Sequence, residues 1–305
     1  MSKHRHEPTF TSYYGRPILK EPTWEPLDIA GYLFTGGLAG ASSILAAGAE
    51  LTGRPRLART TKLGALVAIS VSAVALVHDL GKPSRFYNML RVAKPTSPMS
   101  MGSWLLTAYG PLAAATAASD VTGIAPGVGR AAGLGAGVLG SGVASYTAVL
   151  IADTAVPAWH ESRKQLPFVF VGSAATAAGG LGLLTAPCAE AGPARRAALG
   201  GAALELAASN AMEHAAGLAG ETFHDGKAGM MLRAAKALTA GGALLGATLG
   251  RRSRAAAAVS GAVLLAGSAL TRFGIFEAGR ASTLDPKYTV VPQRERLEQK
   301  EAVPS

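Results

Sequence analysis

The feature that most constrains this chain is a succession of long apolar stretches that carry almost no charge and are separated by polar links. An apolar helix of about 20 residues crosses the hydrocarbon core of a bilayer. The helices of a soluble bundle would instead carry charges at regular intervals along one face, and those charges are missing here. The sequence therefore predicts an all-α, polytopic membrane helix bundle with about eight transmembrane helices. The predicted spans are residues 28–50, 63–80, 103–121, 131–152, 167–186, 197–218, 234–250 and 255–275.

Composition agrees with a membrane location. Of the 305 residues, 49% are hydrophobic and only 16% are charged, and the 38 glycines suit the close helix contacts that form in lipid. We divide the chain into an extended N-terminal segment (1–27), a transmembrane helix bundle (28–275) and a charged C-terminal tail (276–305). No signal-peptide core follows the basic residues near the N-terminus, so we predict that the first helix acts as its own insertion signal.

The cysteine content and the charge exclude two classes of function. Cys188 is the single cysteine, so the chain forms no internal disulfide and holds no iron–sulfur cluster of its own. The formal net charge of +10 would suggest nucleic acid in a soluble protein. Here the basic residues lie in short links between apolar helices, so we expect contact with membrane lipid and no nucleic-acid partner. They divide almost equally between the two membrane faces, which leaves the orientation open, and the compact arginine links favour the cytoplasm for their face.

The link from His78 to Trp104 is the densest polar interruption and reads HDLGKPSRFYNMLRVAKPTSPMSMGSW. Basic, hydroxyl and aromatic side chains of this kind, held at a membrane surface, suit a polar-headed, lipid-like ligand or a docking partner. Asp79 could exchange a proton with His78 or pair with a basic residue of the same link. Trp104 is an aromatic anchor at the depth of the membrane interface.

Ionisable residues within the apolar stretches are candidates for chemistry, because an unpaired charge is costly in lipid. Glu205, Ser209 and Glu213 share one stripe of the sixth predicted helix, and His214 lies on a neighbouring stripe. Two interpretations are open. The residues form a proton path through Glu205, Glu213 and His214, or the carboxylates form structural pairs with basic residues of other helices.

The histidines do not form a recognisable cofactor site. His78 and His214 lie near the same membrane face, but haem-binding anchors place their histidines deep in several helices, so we expect no haem. His160, His224 and Asp225 lack the spacing typical of a metal site, so we expect no metal.

Two segments of the chain resemble the NrfD-like family, the membrane subunits of polysulfide reductases. The first is HDLGKPSRFYNML followed by SPMSMGSW between two predicted helices, and the second is SYTAVLIADTAVPAWHESRKQLPFVFVGSA. The resemblance covers most of residues 24–275 and neither tail. It implies a haem-free bundle of about eight helices that binds a quinone near one membrane face.

The resemblance also implies partners. A subunit of this kind lies in the bacterial cell membrane and docks a four-cluster, ferredoxin-like iron–sulfur subunit, which serves a molybdopterin catalytic subunit. Electrons pass between the clusters and the quinone, with uptake or release of protons. We favour formate dehydrogenase as the complex, with polysulfide or thiosulfate reductase next. The composition, rich in Ala, Gly and Arg, indicates a GC-rich bacterial gene and so favours menaquinone.

The resemblance assigns roles to particular residues. Tyr146 matches by position the tyrosine that the family offers to a quinone carbonyl, although its place in the helix alone fits an interfacial-belt tyrosine equally well. The family's polar pair in the first helix is missing from this chain. The quinone-binding candidates are Tyr146, His78, Asp79 and Trp104. The partner-docking candidates are Arg85, Tyr87, Ser97, Ser100, Trp159 and His160.

Two other classes of function stay open. A proton-coupled secondary transporter would use Glu205 and Glu213 for coupling and would show inverted repeats and interrupted helices, for which the sequence offers no convincing sign. A purely structural membrane anchor would have no quinone site at all.

Overall fold

The computed structural model describes residues 18–301, and within this range every regular element is a helix. The predicted all-α bundle is confirmed. In chain order the α-helices are α1 (Pro26–Leu51), α2 (Pro55–Asp79), α3 (Phe86–Met89), α4 (Pro98–Thr122), α5 (Pro126–Ala152), α6 (Pro157–Glu161), α7 (Leu166–Thr185), α8 (Gly192–Ala215), α9 (Gly226–Ala247), α10 (Arg254–Leu284) and α11 (Lys287–Glu301). Short 3-10 helices lie at Pro83–Arg85, Gly217–Phe223 and Leu249–Arg251.

Eight of the described helices are long, and each of the predicted spans overlaps one of them. By length and composition, α1, α2, α5, α7 and α10 are long and apolar enough to cross a membrane. The other long helices, α4, α8 and α9, pack beside them as antiparallel neighbours. The bundle therefore has the form expected of a polytopic membrane protein.

Proline marks where many helices start. It is the first residue of α1, α2, α4, α5 and α6. The first helical position needs no N–H partner, and the fixed φ of proline suits it. At α4 the side chain of Ser97 also caps the helix, since its Oγ accepts a hydrogen bond from the backbone N–H of Ser100 at 3.4 Å. The prolines that interrupt the hydrophobic pattern thus set the helix boundaries.

The connections between the long helices differ sharply between the two ends of the bundle. At one end, which we call the short-turn face, they are the brief turns 52–54, 123–125, 186–191 and 248–253. At the other end, which we call the long-link face, they are the longer segments 80–97, 153–165 and 216–225. As predicted, the link that follows His78 and the link that carries His160 lie at the same face.

Close helix contact at glycine fixes the centre of the bundle. A Cβ built on Gly40 of α1 would lie 2.3 Å from the carbonyl oxygen of Gly140 in α5, and a Cβ on Gly140 would lie 2.5 Å from the carbonyl oxygen of Gly40. No larger residue fits at either position, and small residues of this kind allow helix backbones to approach in lipid. The α1–α5 contact holds together the two helices that carry Tyr32 and Tyr146.

The two ends of the described chain also lie at the long-link face. Residues 18–25 precede α1 without helical structure, while residues 1–17 of the predicted N-terminal segment and residues 302–305 lie outside the described range. The last long helix extends beyond the predicted span, which ends at residue 275. It continues to Leu284, because Phe276 and Ala278 are fully buried in the core, and α11 follows within the segment that we predicted to be a charged tail.

Candidate functional site: a tyrosine-lined cavity at the long-link face

A cavity of about 100 Å³ lies between α1, α2, α4 and α5 where these helices reach the long-link face. Apolar side chains form most of its wall, and polar atoms are few. Its lining residues are Trp24, Ile29, Tyr32, Leu76, Asp79, Leu80, Met89, Met99, Gly102, Ser103, Leu106, Tyr146 and Leu150. This combination of an apolar wall with a few polar groups is typical of a small-molecule site.

The hydroxyl of Tyr146 is the notable polar group of the cavity. It is buried, and it has no hydrogen-bond partner among the described residues. A buried polar group without a partner costs free energy, which a ligand that accepts its hydrogen bond would recover. Tyr146 therefore offers a donor to a molecule in the cavity.

Gly102 of α4 makes room for the Tyr146 ring. A Cβ at Gly102 would lie 2.3 Å from Cε2 of Tyr146, so any side chain there would displace the ring. Ser103, the next residue, is buried, and its hydroxyl donates to the carbonyl of Met99 at 2.9 Å. The segment SPMSMGSW thus supplies both the start of α4 and the surface against which Tyr146 rests.

Of the four predicted quinone-binding residues, Tyr146 and Asp79 line the cavity and the other two do not. Asp79 ends α2 and accepts a hydrogen bond from the backbone N–H of Glu25 at 3.1 Å. The His78 ring is exposed, and its Nδ1 lies 2.6 Å from Asp28. Trp104 is 41% exposed, and its indole N–H donates to the carbonyl of Val92 at 3.4 Å.

Sequence reasoning missed several residues of the cavity wall. Tyr32 lies in α1, and Trp24 lies in the segment before it. Gly102 and Ser103 belong to the segment SPMSMGSW, from which we selected Ser97, Ser100 and Trp104 instead. The spacing of Gly102 and Trp104 gives no sign that the glycine faces Tyr146. Only the packing of α4 against α5 brings these residues together.

The predicted docking residues fall into two groups. Arg85 and His160 are exposed, and Tyr87 is 73% exposed, so all three are accessible at the long-link face. Ser97 and Ser100 instead close the link onto itself, because Ser97 caps α4 and Ser100 Oγ donates to the carbonyl of Val92 at 2.8 Å. Their hydroxyls are engaged within the chain.

Trp159, the remaining docking candidate, has a different environment from the exposed ones. This residue is fully buried. Its indole N–H donates to the carbonyl of Ile275 at 2.8 Å, and its ring stacks on Trp24 with 6.1 Å between the ring centroids. Burial of a large aromatic side chain with its N–H satisfied is a packing role. Trp159 ties the N-terminal segment and α6 to α10.

The predicted proton-path residues do not share one environment. Glu205 is 2% exposed and accepts a hydrogen bond from Thr271 Oγ1 at 2.6 Å, with Arg272 close enough to interact electrostatically. Glu213 forms an ion pair with Lys236 at 2.6 Å. His214 Nδ1 instead lies 2.7 Å from the carbonyl of Asn210 in its own helix.

Arg272 is a buried charge that sequence reasoning overlooked. It is fully buried in α10, donates to the carbonyl of Phe170 at 2.7 Å, and lies 3.7 Å from the centroid of the Phe170 ring. The signal was present, since an arginine inside an apolar stretch is a functional or structural candidate by default. Glu205 and Arg272 are buried groups of opposite charge that interact electrostatically where α7, α8 and α10 meet, with no hydrogen bond between them.

Ion pairs hold the segments that border the long-link face. Arg280 donates to Glu21 at 2.6 Å, which fastens the N-terminal segment to α10. Lys287 at the start of α11 donates to Glu221 at 3.0 Å, and this hydrogen bond raises the pKa of the Lys287 ammonium. Both ion pairs join parts of the chain that are distant in sequence.

These features define the class of protein, a polytopic membrane subunit with a tyrosine-lined cavity at one membrane face. The family described as "Polysulphide reductase, NrfD" matches residues 20–192, which is more than half of the chain and includes every residue of the cavity wall. The chain belongs to this family, and the resemblance seen in the sequence is confirmed. A comparison with curated proteins gives no match.

Membership in the family defines the setting in which the chain works. NrfD proteins are generally membrane anchors that are partnered with iron–sulfur and molybdopterin subunits. The chain is therefore a membrane subunit of the polysulfide-reductase-like class of oxidoreductase complexes.

Proposed function

We propose that the cavity binds the head of a quinone or quinol, with Tyr146 as hydrogen-bond donor to a carbonyl oxygen. The observation that carries the proposal is the buried Tyr146 hydroxyl, which has no partner among the described residues and belongs to the cavity wall. A quinone has two carbonyl acceptors on a planar apolar ring. One carbonyl would accept the hydrogen bond of Tyr146, and the ring would contact the apolar wall. When bound, the quinone accepts or releases two electrons and two protons.

The side chains of the cavity wall suit a quinone ring chemically, but the volume of the cavity is small for such a ring. Pockets for drug-sized ligands measure about 300 Å³ or more, whereas this cavity measures about 100 Å³. Met89 and Met99 belong to the wall near the long-link face, and methionine side chains re-pack readily. We infer that these two side chains move when the ring enters.

Asp79 is suited to exchange protons with the site. It is half-buried at the end of α2, belongs to the cavity wall, and lies next to the exposed His78. A carboxylate between an apolar cavity and the membrane surface can pass a proton to or from water. We assign this role to Asp79, and His78 and Trp104, which do not line the cavity, stay as further candidates for quinone binding.

We further propose that the long-link face docks the iron–sulfur subunit and that the complex lies in the bacterial cell membrane. Arg85, Tyr87 and His160 are exposed on the same face as the cavity, so a docked cluster would be on the quinone side of the membrane subunit. Formate dehydrogenase is the complex that we favour, polysulfide or thiosulfate reductase comes next, and menaquinone is the favoured quinone.

The proposed proton path uses Glu205 and Glu213, which lie on one stripe of α8, and ends at His214 near the long-link face. Glu213 is paired with Lys236, which favours the structural interpretation for that residue. Glu205 has one carboxylate oxygen without a partner among the described residues, and this favours a path through Glu205.

The proposal is tested by Tyr146→Phe, with Tyr109→Phe as the matched control. Tyr109 is fully buried, and its hydroxyl is hydrogen-bonded to Ser43 and to the carbonyl of Ala39, both at 2.8 Å. Tyr146→Phe should leave stability unchanged and weaken binding of a menaquinone analogue about tenfold, the value of one hydrogen bond. Tyr109→Phe should lower stability by about 1–2 kcal/mol and leave analogue binding unchanged.

The measurement is a titration of the purified complex with the analogue, combined with quinone-linked turnover of the same preparation. Full binding and turnover in Tyr146→Phe would contradict the proposal and favour an anchor without a quinone site. Recovery of the chain without iron–sulfur and molybdopterin subunits, under conditions that keep other respiratory complexes intact, would contradict the docking proposal.

A further inference from the structure

A second apolar groove lies at the opposite end of the bundle from the Tyr146 cavity. It measures about 350 Å³ and runs along the outside of α7, between α1 and α8, toward the short-turn face. Its wall is almost wholly aliphatic, and it ends beside an arginine. The lining residues are Ala41, Ile44, Leu45, Gly48, Thr52, Ala175, Ala178, Pro193, Arg196 and Ala197.

The short-turn face around the groove is strongly basic. Its acidic residues are only Glu50, Asp120 and Glu190 among the described residues. Its basic residues are Arg54, Arg56, Arg59, Lys62, Arg130, Arg195, Arg196, Arg251, Arg252 and Arg254. The long-link face, in contrast, carries acidic and basic residues in similar numbers.

The acidic residues of the short-turn face are already engaged away from the groove. Glu50 pairs with Lys62 at 3.0 Å, and Asp120 pairs with the same lysine at 3.3 Å. Glu190 Oε2 accepts from the backbone N–H groups of Arg56 and Leu57, at 2.8 and 3.1 Å. None of the described carboxylates therefore neutralises the arginines at the end of the groove.

Two of these arginines converge where the groove meets the membrane surface. A Cβ built on Gly192 would lie 3.7 Å from Nη1 of Arg196 and 3.9 Å from Nη2 of Arg195, so both guanidinium groups are close to one point. Arg195 keeps one hydrogen bond, to the carbonyl of Cys188 at 3.3 Å. Arg54 donates to the carbonyl of Thr52, which lines the groove from the other side.

We propose that this groove binds an anionic phospholipid, with an acyl chain along α7 and the headgroup phosphate at Arg195 and Arg196. Guanidinium groups match phosphate oxygens in geometry and in charge. Basic pockets between transmembrane helices attract anionic headgroups, and the aliphatic wall suits a lipid tail. The charge excess of this face selects an anionic lipid over a zwitterionic one.

The test is retention of lipid by the purified complex, measured by native mass spectrometry after exchange into mixed micelles of detergent with phosphatidylglycerol or phosphatidylcholine. The paired variant Arg195→Gln/Arg196→Gln should retain phosphatidylglycerol about tenfold less well. The matched control is Arg251→Gln/Arg252→Gln, which removes the same charge from the same face away from the groove. It should retain the lipid as the wild type does.

A second variant tests the acyl chain without touching a charge. Gly48 lines the groove and has no heavy atom within 4 Å of a built Cβ, so Gly48→Leu adds an aliphatic side chain to the groove wall at a position where its Cβ meets no neighbour. Gly241→Leu on the exposed side of α9 has the same free space and serves as its control. Gly48→Leu should reduce retention of phosphatidylglycerol, and Gly241→Leu should not.

Three results would overturn the proposal. Equal retention of phosphatidylcholine would remove the headgroup preference. An equal loss in the Arg251→Gln/Arg252→Gln control would reduce the effect to the general charge of the face. Unchanged retention in Gly48→Leu would show that no acyl chain lies in the groove and that Arg195 and Arg196 attract phosphate alone.

Discussion

Neutralising one member of the Glu205–Arg272 pair should destabilise the protein more than neutralising both. Glu205→Gln keeps the size of the side chain and removes its charge, which leaves Arg272 as an uncompensated cation inside the bundle. Arg272 cannot reach water, because it is fully buried and packed on the Phe170 ring. Its Nε and Nη1 already lack partners among the described residues, so little remains to stabilise the charge.

The size of the effect follows from the burial. Removing one partner of a buried ion pair costs about 3–5 kcal/mol, whereas replacing both charges by apolar groups is often close to neutral. Because no hydrogen bond joins Glu205 and Arg272, the loss should be smaller than for a contacting ion pair, and we expect Glu205→Gln to lower the free energy of unfolding by about 2 kcal/mol. The double variant Glu205→Gln/Arg272→Met should recover most of this loss. Thr271→Val removes a hydrogen bond of 2.6 Å to Glu205 and no charge, so it serves as the control and should cost about 1.5 kcal/mol.

The assay is reversible unfolding in mixed micelles, followed by far-UV circular dichroism for the four proteins of the double-mutant cycle and the Thr271→Val control. If the stability losses of the two single variants add in the double variant, the coupling energy is near zero. That result would refute an interaction between Glu205 and Arg272. Quinone-linked turnover of the double variant adds a second result. Full turnover in a stable double variant would exclude Glu205 from the proton path and leave its role structural.

Two further changes test the cavity and the core. Gly102→Ala places a Cβ 2.3 Å from Cε2 of Tyr146. It should abolish binding of a menaquinone analogue and lower the free energy of unfolding by about 1–3 kcal/mol. Gly110→Ala in the same helix is the control, since no atom lies within 4 Å of a Cβ built there, and it should change neither quantity. Trp159→Phe removes the 2.8 Å hydrogen bond to Ile275 and should lower the stability measured by thermal unfolding by about 2 kcal/mol. Trp104 is exposed, so Trp104→Phe should change this stability by less than about 0.5 kcal/mol. Equal shifts for the two tryptophan variants would contradict the assigned packing role.

The helix bundle could be predicted because each element leaves a local signal. Apolar stretches of the length of a bilayer identify the long helices, and prolines mark where several of them start. Tyr146 was chosen from the family resemblance and Asp79 from its place at the end of the second predicted helix, and both residues belong to the wall of one cavity. Helix α10 extends beyond the predicted span 255–275, because the buried Phe276 continues the helix although Arg272 and the glycines near residue 275 weaken the apolar pattern.

Contacts between distant segments could not be predicted. Arg280 reaches Glu21 across almost the whole chain, and Glu213 finds Lys236 only when α8 packs beside α9. Trp159 is followed by charged residues in the sequence, so we expected it to lie in an exposed loop. The short helix α6 instead turns its ring into the core, where Trp24 and Phe276 enclose it. A single sequence carries no record of such pairings.

The short turns make the bundle a succession of helical hairpins, α1–α2, α4–α5, α7–α8 and α9–α10, and the most extensive helix contacts include all four. Every residue of the Tyr146 cavity lies between Trp24 and Leu150, within the first two hairpins and the segments that border them. Since chains fold from the N-terminus as they are made, the cavity could take shape while the second half is still being synthesised. The Glu205–Arg272 pair forms only when the last hairpin enters the membrane, so the order of synthesis separates the assembly of the two regions in time.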